Sequence, residues 1–402
     1  MVEKRAGAAE RGLRVAHVTE APLGGVLSYL QEIICEQARS EDIESVHLLI
    51  PEVNARALAG IDDPKVVVTS FAHKRGSLLG LFRLAATSIR FMRETKPDIL
   101  HIHSTFAGAI VRPCALLARR RPKIVYCPHG WAFSREGSTR GLAAAVERLL
   151  ERCTDSIVCI SDFERHEAIA VGMPAGKLTV IKNGIRDLEE DQETGATQSV
   201  AAGNRLRILF VGRFDRQKGF DTFLAVMQRL GSEAEGLAVG DYLVGPAEDR
   251  PEIPDNVTVL GWQPRSEVLG LYRHADLLLV PSRWEGFGLV AVEAMRSRLA
   301  VFASRVGGLQ EVVLDSVTGR LFAPDLAPEI ADIVVGTNRA TLQEYGVQGR
   351  LRFRERFTAS RMNRSLLDLY AGLALPLRST EAAGRSADQT AAATGITRVT
   401  QS

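Results

Sequence analysis

Short β-branched runs alternate with amphipathic stretches of helical period along most of this 402-residue chain, and that alternation restricts the fold more than any other feature. Strand, helix, strand in sequence closes as a right-handed crossover between parallel strands, so the pattern predicts mostly parallel sheets covered by helices. The first round opens on "LRVAHVT" (Leu13 to Thr19), the glycine turn "APLGG" and the helical "VLSYLQEIICEQA". The strands "SVHLLIP", "KVVVTS", "DILHIHS", "KIVYCPHG", "SIVCIS" and "KLTVIKNGI" follow, with helices at Leu78 to Glu94 and Gly141 to Arg152 among them. "RDLEEDQETGATQSVAAGN" (Arg186 to Asn204) interrupts the alternation with a polar, acidic stretch that reads as a linker. A second round then begins. Its strands are "RLRILFVGRF", "DYLVGP", "NVTVLGW", "ADLLLVPS", "LAVFASRVGG" and "TGRLFAP", and its helices run Asp221 to Leu230, around Ser266 to His274, and onward from near Gly288.

Two rounds predict an α/β chain of two Rossmann-like, doubly wound parallel-sheet domains facing across a cleft. A chain of this length exceeds one ordinary core. The expected segments are a tail (1–12), the first domain (13–185), the linker (186–204), the second domain (205–345), C-terminal helices returning to the first domain (346–375), and an unstructured Ala/Thr/Ser-rich tail (376–402). Ligands of such sheets bind beyond the carboxyl ends of the strands. A site between the domains is therefore expected.

Bulk properties narrow the function class. Apolar residues make up 46% and charged residues 24%, the balance of a globular protein, and the formal net charge of +2 argues against a nucleic-acid binder. The N-terminus "MVEKRAGAAERG" lacks a signal peptide's apolar segment, and no apolar run approaches a membrane span, so a cytoplasmic location is expected. Cys35, Cys114, Cys127, Cys153 and Cys159 form no CxxC pair and read as reduced core thiols.

Chemistry concentrates in two stretches of the second domain. In "ILFVGRFDRQKGF" a strand ends at Gly212, Arg213 and Lys218 follow five residues apart, and Gly219 closes the loop. Arginine grips phosphate oxygens in pairs and lysine supplies a point charge, so the loop suits an anionic ligand, although two solvated loop cations would look the same. In "PSRWEGFGLVAVEAMRSR" (Pro281 to Arg298) a strand turns into an apolar helix that carries Glu285 at its mouth and Glu293 inside it. Burying a carboxylate is costly unless something satisfies it. Glu285 is a candidate to accept from hydroxyls and Glu293 to accept from a vicinal diol such as ribose. Their alternatives are an acid favoured by the helix dipole and an acid paired with Arg283 or Arg296. Gly286 and Gly288 let the backbone approach a ligand.

"GRFDRQKG", "PSRWEGFGLVAVEAM", "SRVGGLQEVV" and "TGRLFAP" closely resemble the nucleotide-sugar domain of retaining GT-B glycosyltransferases of the family-four type. "PLGGVLSYL", "HIHS", "PHG" and "VIKNGI" resemble the family's first domain more loosely. The resemblance implies the GT-B fold and a hexosyl- or glycosyltransferase that retains anomeric configuration. It implies that Arg213 and Lys218 bind the donor diphosphate and stabilise the leaving group. Glu285 would hold sugar hydroxyls together with the backbone N–H groups of Phe287, Gly288 and Leu289, and Glu293 would hold the ribose diol. Gly24 and Gly25 would face the diphosphate from the first domain, and His129 of "PHG" would touch the transferred sugar. The catalytic set is thus Arg213, Lys218, Glu285 and His129. The donor-binding set is Gly24, Gly25, Arg213, Lys218, Glu285, Gly286, Phe287, Gly288, Leu289 and Glu293. No Asp-x-Asp pair stands near these motifs, and "EED" (Glu189 to Asp191) reads as solvated linker charge, so metal independence is expected. No cofactor is expected: a nucleoside-diphosphate sugar, UDP- or GDP-linked, is a co-substrate.

On the acceptor side, His101 and His103 alternate on one strand, and His103 is the candidate nearer the cleft. Leu78 to Glu94 carries Phe82, Ala85, Ile89 and Met92 on one helical face and Arg83 and Arg90 on another. With Lys74, Arg75, Arg93 and "RRRPK" (Arg119 to Lys123) it makes the first domain locally basic. The expected acceptor is a saccharide, with a lipid-linked one of surface-polysaccharide biosynthesis as the extension, reached by peripheral contact with the inner face of the cytoplasmic membrane. An ordinary crossover helix with a solvated basic face is the competing reading. The competing functions are a sugar-nucleotide epimerase on the same fold and a non-catalytic sugar-nucleotide binder. A dinucleotide oxidoreductase is disfavoured because "PLGGVLS" lacks the G-x-G-x-x-G spacing.

Overall fold

The computed structural model describes residues 11–20, 24–55, 61–72, 78–134, 139–188, 205–242 and 250–374. The acidic "EED", Lys74 and Arg75, most of the expected linker and the residues after 374 lie outside them. The strands are β1 (Leu13–Thr19), β2 (Ile43–Pro51), β3 (Val66–Phe71), β4 (Ile99–His103), β5 (Lys123–Cys127), β6 (Ser156–Cys159), β7 (Leu178–Val180), β8 (Leu206–Val211), β9 (Ala234–Val239), β10 (Val257–Gly261), β11 (Leu277–Val280), β12 (Ala300–Ser304) and β13 (Gly319–Phe322). The helices are α1 (Gly25–Arg39), α2 (Glu52–Ala55), α3 (Leu78–Thr95), α4 (Thr105–Ala115), α5 (Arg140–Leu150), α6 (Asp162–Ala170), α7 (Phe220–Leu230), α8 (Arg265–His274), α9 (Leu289–Arg296), α10 (Leu309–Val312), α11 (Ala327–Val335), α12 (Arg339–Arg356) and α13 (Ala359–Ala374).

Both sheets are parallel throughout the described strands, in the orders β3-β2-β1-β4-β5-β6-β7 and β10-β9-β8-β11-β12-β13. The central strands read as near-continuous apolar runs because helices cover both faces. All five residues of β4 and all five of β12 are buried. Each order reverses once, between β1 and β4 and between β8 and β11. A doubly wound sheet binds its ligand at this reversal, where loops on its two sides splay apart. The loops after β8 and β11 are the two that carry Arg213, Lys218 and Glu285.

The domains are joined where the chain passes twice. The Ile185 N–H donates to Phe357 O (2.9 Å), and the Ala359 N–H donates to Ile185 O (2.9 Å). A Cβ on Gly184 would stand 2.2 Å from Thr358 O, so the crossing admits no side chain there. α12 packs on α9 and β12, whereas α13 crosses back and packs on α1.

Two sequence expectations change. "DYLVGP" is not a described strand: Asp241 and Tyr242 are irregular and the rest lies outside the described residues. The strand in that place is β9, just upstream, "AEGLAV". Its Gly236 and alanines conceal it, yet Gly236 is needed because a Cβ would come within 3.1 Å of Met227, Phe223 and Val257. On α3 the buried face is Leu84, Ser88, Phe91 and Met92, and Phe82 is 73% exposed.

Candidate active site

The two loops of the second domain meet because glycine lets them. Gly219, at φ 67°, caps α7, and a Cβ there would collide with Pro281 O at 2.0 Å. The Arg283 N–H donates to Gln217 O (2.9 Å), which ties the β11 loop to the β8 loop. Gly307, at φ 48°, leaves no room for a Cβ beside Glu285 O, and the Gly308 N–H donates to that oxygen (3.1 Å).

This knitting brings Lys218 and Glu285 together. Lys218 Nζ lies 2.5 Å from Glu285 Oε2, with the two side chains 20% and 13% exposed. Arg213 stands on the same loop, held by Asp215 (3.0 Å) and Gln217 (2.7 Å). Both cations are thus fixed in direction by short polar contacts before any ligand arrives. Arg283, one of the partners considered for Glu293, instead pairs with Asp221 and Asp325. Gly288 adopts the left-handed region (φ 96°) as the N-cap of α9, and no side chain caps that helix. Its leading N–H groups are arranged as helix N-termini are for anions.

Glu293 has a different set of partners from the Lys218–Glu285 pair. It accepts from the Tyr272 hydroxyl at 3.0 Å. Burial raises its pKa, opposed first by the nearby charges of Arg265 and Arg296 and then by the Tyr272 hydrogen bond. Arg265 also reaches across to Glu32 of α1 (2.8 Å), which is fully buried and bonds Arg186 as well.

The first domain closes the other wall. A Cβ on Gly25 would lie 3.6 Å from Leu289 Cδ1, so α1 and α9 present their N-termini to each other. Gly24, the N-cap of α1, has φ 53°. A Cβ on Gly286 would sit 3.7 Å from Gly130 Cα, so the "PHG" and "GFG" loops also touch. Phe287 is buried and packs edge-on against Phe357. His129 has φ 53°, a strained setting for a non-glycine residue that marks constrained positions. Burial lowers its pKa to about 3, so it is neutral at physiological pH.

His103 is placed differently from expectation. It is fully buried, its Nδ1 is 3.0 Å from His129 Nε2, and it has no surface of its own for an acceptor. Sequence reading also missed several polar groups at this interface. Glu164, 1% exposed, accepts from the Ile160 N–H (3.0 Å) and turns its other oxygen, which makes no hydrogen bond, towards Gly286. Glu311 of α10 accepts the N–H groups of Asp162 (3.0 Å) and Phe163 (2.7 Å) at the start of α6 and pairs with Lys182 (2.9 Å). The available signal for Glu164 was an acid just beyond the strand "SIVCIS", at the edge where such sheets bind ligands. For Glu311 there was none, because its partners come from the other domain.

A family model described as "Glycosyl transferases group 1" matches residues 191–335, and one described as "Glycosyltransferase Family 4" matches residues 23–187. The chain belongs to the family-four GT-B glycosyltransferases. This family-four chain is 30% identical over 331 residues to an "Uncharacterized 41.2 kDa protein in cps region" of Klebsiella pneumoniae, covering 80% of this chain and 89% of the relative. It is 27% identical over 341 residues to the alpha-maltose-1-phosphate synthase of Mycolicibacterium smegmatis, covering 74% of this chain and 84% of that one. Among solved structures it superposes on Anabaena HepE in complex with UDP-glucose with a TM-score of 0.74 at 18% identity, over 90% of this chain and all of the other. Sucrose-phosphate synthase from Thermosynechococcus elongatus gives 0.72 at 20% identity, over 90% of this chain and 99% of the other.

Proposed function

We propose that this chain is a metal-independent, retaining glycosyltransferase that moves a sugar from a UDP- or GDP-sugar to a hydroxyl of a saccharide acceptor in surface-polysaccharide or glycolipid biosynthesis. The observation that carries the reading is the convergence of Arg213, Lys218 and Glu285 at the sheet reversal, opposite the N-terminus of α1. The donor diphosphate lies between the two helix N-termini, with Arg213 and Lys218 on its oxygens. Glu285 and the N–H groups of Phe287, Gly288 and Leu289 hold sugar hydroxyls, Glu293 holds the ribose diol, and His129 faces the transferred sugar. The bond between the anomeric carbon and the phosphate oxygen breaks as positive charge grows on the sugar and negative charge on the diphosphate. Fixed cations and helix dipoles aimed at that oxygen lower the barrier. The acceptor oxygen attacks the face the phosphate leaves, and its proton passes to the departing phosphate oxygen, so configuration is kept.

HepE, solved with UDP-glucose, supports the donor class, and the cps-region relative supports a polysaccharide acceptor. Exposed Leu79, Phe82, Leu117, Leu142 and Leu149, with the exposed cations Arg83, Arg90 and Arg119 in the same domain, support a first domain that rests on anionic lipid, where a lipid-linked acceptor would be found. No described helix is long and apolar enough to cross a membrane. The test is the product: incubation with each candidate donor and saccharide acceptors, followed by NMR of the new anomeric proton. An α-linked donor should give an α-linked product without added divalent ions. A β-linked product, or transfer that stops with chelator, contradicts the proposal.

A further inference from the structure

Behind the "PHG" loop, three imidazoles and one amide stand in a buried file. His129 Nε2 is 3.0 Å from His103 Nδ1, His103 Nε2 is 3.0 Å from His17 Nδ1, and His17 Nε2 is 2.9 Å from Gln37 Oε1. β1 pairs with β4 in a register that sets Thr19 opposite His103, and β5 runs beside β4 and leads to His129. Gln37 comes from α1. His17, His103 and Gln37 have 1%, 0% and 0% exposure.

The rings are in line. Both histidine pairs have centroids 5.3 Å apart with planes within 24° and 27° of each other. The centroids are separated by 5.3 − 3.0 = 2.3 Å more than the nitrogens, the reach of two imidazole radii laid end to end. Each N–H therefore points straight at the next lone pair. His17, His101 and His103 also offer three nitrogens within 4.8 Å of one another, near enough for a metal ion. Ligation needs the lone pairs to converge on one point, whereas His17 Nδ1 and His103 Nε2 meet head-on.

An amide oxygen only accepts, so it sets a direction. His17 must donate from Nε2, which leaves its Nδ1 bare. His103 must then donate from Nε2 and accept at Nδ1, and His129 must donate from Nε2. The ring nitrogen left over is His129 Nδ1, as a lone pair. The Gln37 oxygen is the end that faces His17, and its nitrogen, also buried, makes no hydrogen bond. Burial holds the three imidazoles neutral, as the file requires. Gln37 cannot take up a proton, so the file orients groups and does not carry protons away.

We infer that Gln37, His17 and His103 are positioning residues that lock His129 as a hydrogen-bond acceptor, so that it selects a sugar presenting a hydroxyl proton. The inference rests on the reading of His129 as facing the transferred sugar. A neutral sugar with a hydroxyl at that place satisfies the lone pair, and one that brings only acceptor oxygens there does not.

Long-range 1H–15N spectra of the full chain with 15N-labelled histidine read the tautomers directly, without any ligand. His17, His103 and His129 are expected as neutral Nε2–H tautomers at pH 7. Gln37→Glu should keep that pattern and Gln37→Met should lose it at His129. A wild-type His129 protonated at Nδ1, or one equivalent of bound zinc by elemental analysis, overturns the inference. With UDP-glucose as the probe, Gln37→Met and His17→Asn should lower kcat/KM for donor hydrolysis about three- to tenfold, Gln37→Glu should restore it, and affinity for UDP should hold. If His129→Ala is impaired but Gln37→Met is not, the orienting file is wrong. If His129→Ala is itself unimpaired, the reading of His129 is wrong.

Discussion

Glu164 shows how one buried side chain ties chemistry to pH. It sits between the "PHG" and "GFG" loops with one carboxyl oxygen satisfied and one not. Burial pushes its pKa up from 4.5 to about 8, against the backbone bonds from Ile160 and Gly130. The folded state therefore keeps a proton that the unfolded chain releases, and stability falls as pH rises from about 4.5 through about 8. His17 acts in the opposite sense: its pKa is lowered to about 4, so stability is lost as pH falls from 6.5 towards 4. Glu164→Gln isolates the first effect. Thermal melts should show the variant gaining on the wild type between pH 5 and 8 and by a constant margin above, on the order of a few kcal/mol. A margin that shrinks with rising pH refutes the assignment. At this scale the sequence was readable wherever local spacing carried the meaning, as in the two stretches that hold Arg213, Lys218 and Glu285. Gln37, His17 and Glu311 were not readable, because His17 meets Gln37 across 20 residues and His103 across 86, and Glu311 meets Phe163 across 148. Periodicity alone left open whether the apolar face of α3 meets the core or a membrane, and that face divides, with Met92 buried and Phe82 exposed.

The functional unit among the elements is the strand-to-helix corner. β8 and β11 flank the sheet reversal, and their loops fold onto each other where Gly219 has no side chain to meet Pro281 O, while Gly307 lets the loop after β12 close on Glu285. Gly219→Ala adds a left-handed strain and a clash with Pro281 O. It should cost about 2–4 kcal/mol in urea unfolding and weaken nucleotide binding as Lys218 shifts. Gly176→Ala, where a Cβ meets nothing within 4 Å, is the control and should leave nucleotide binding unchanged. Equal effects from the two would show that Gly219 has no special place. Most strands were legible from apolar runs, since a parallel sheet buries both faces of each strand. β9 was not, because Gly236 and the alanines that let α7 pack closely dilute its apolar signal.

Across the whole molecule, the two domains hold each other by two separate sets of polar contacts. Glu311 caps α6 and pairs with Lys182 in one set, while Glu32 joins Arg186 to Arg265 in the other. Glu32 is the more buried anchor, and Arg265 also lies beside Glu293, so the interdomain link adjoins the expected ribose site. Removing Glu311 frees two N–H groups and leaves Lys182 paired with Asp162 of its own domain, without touching the proposed donor contacts. Glu311→Ala should therefore widen the particle in small-angle scattering and raise donor KM about two- to tenfold with UDP affinity little changed. An unchanged scattering profile would mean the cap does not hold the domains. The two-domain α/β architecture was evident from the strand–helix alternation alone. How the domains touch was not, since those contacts join residues far apart in sequence.

The central claim is that a nucleoside-diphosphate sugar lies between the Arg213–Lys218 loop and the Glu285–Leu289 corner. Calorimetric titration of UDP, GDP and UDP-glucose into the wild type, Lys218→Ala and Glu293→Ala tests it most directly. One nucleotide should bind the wild type with a single site, and each variant should weaken it by at least about tenfold, the loss of roughly 1.4 kcal/mol. No binding by the wild type, or equal affinity in all three proteins, would contradict the account.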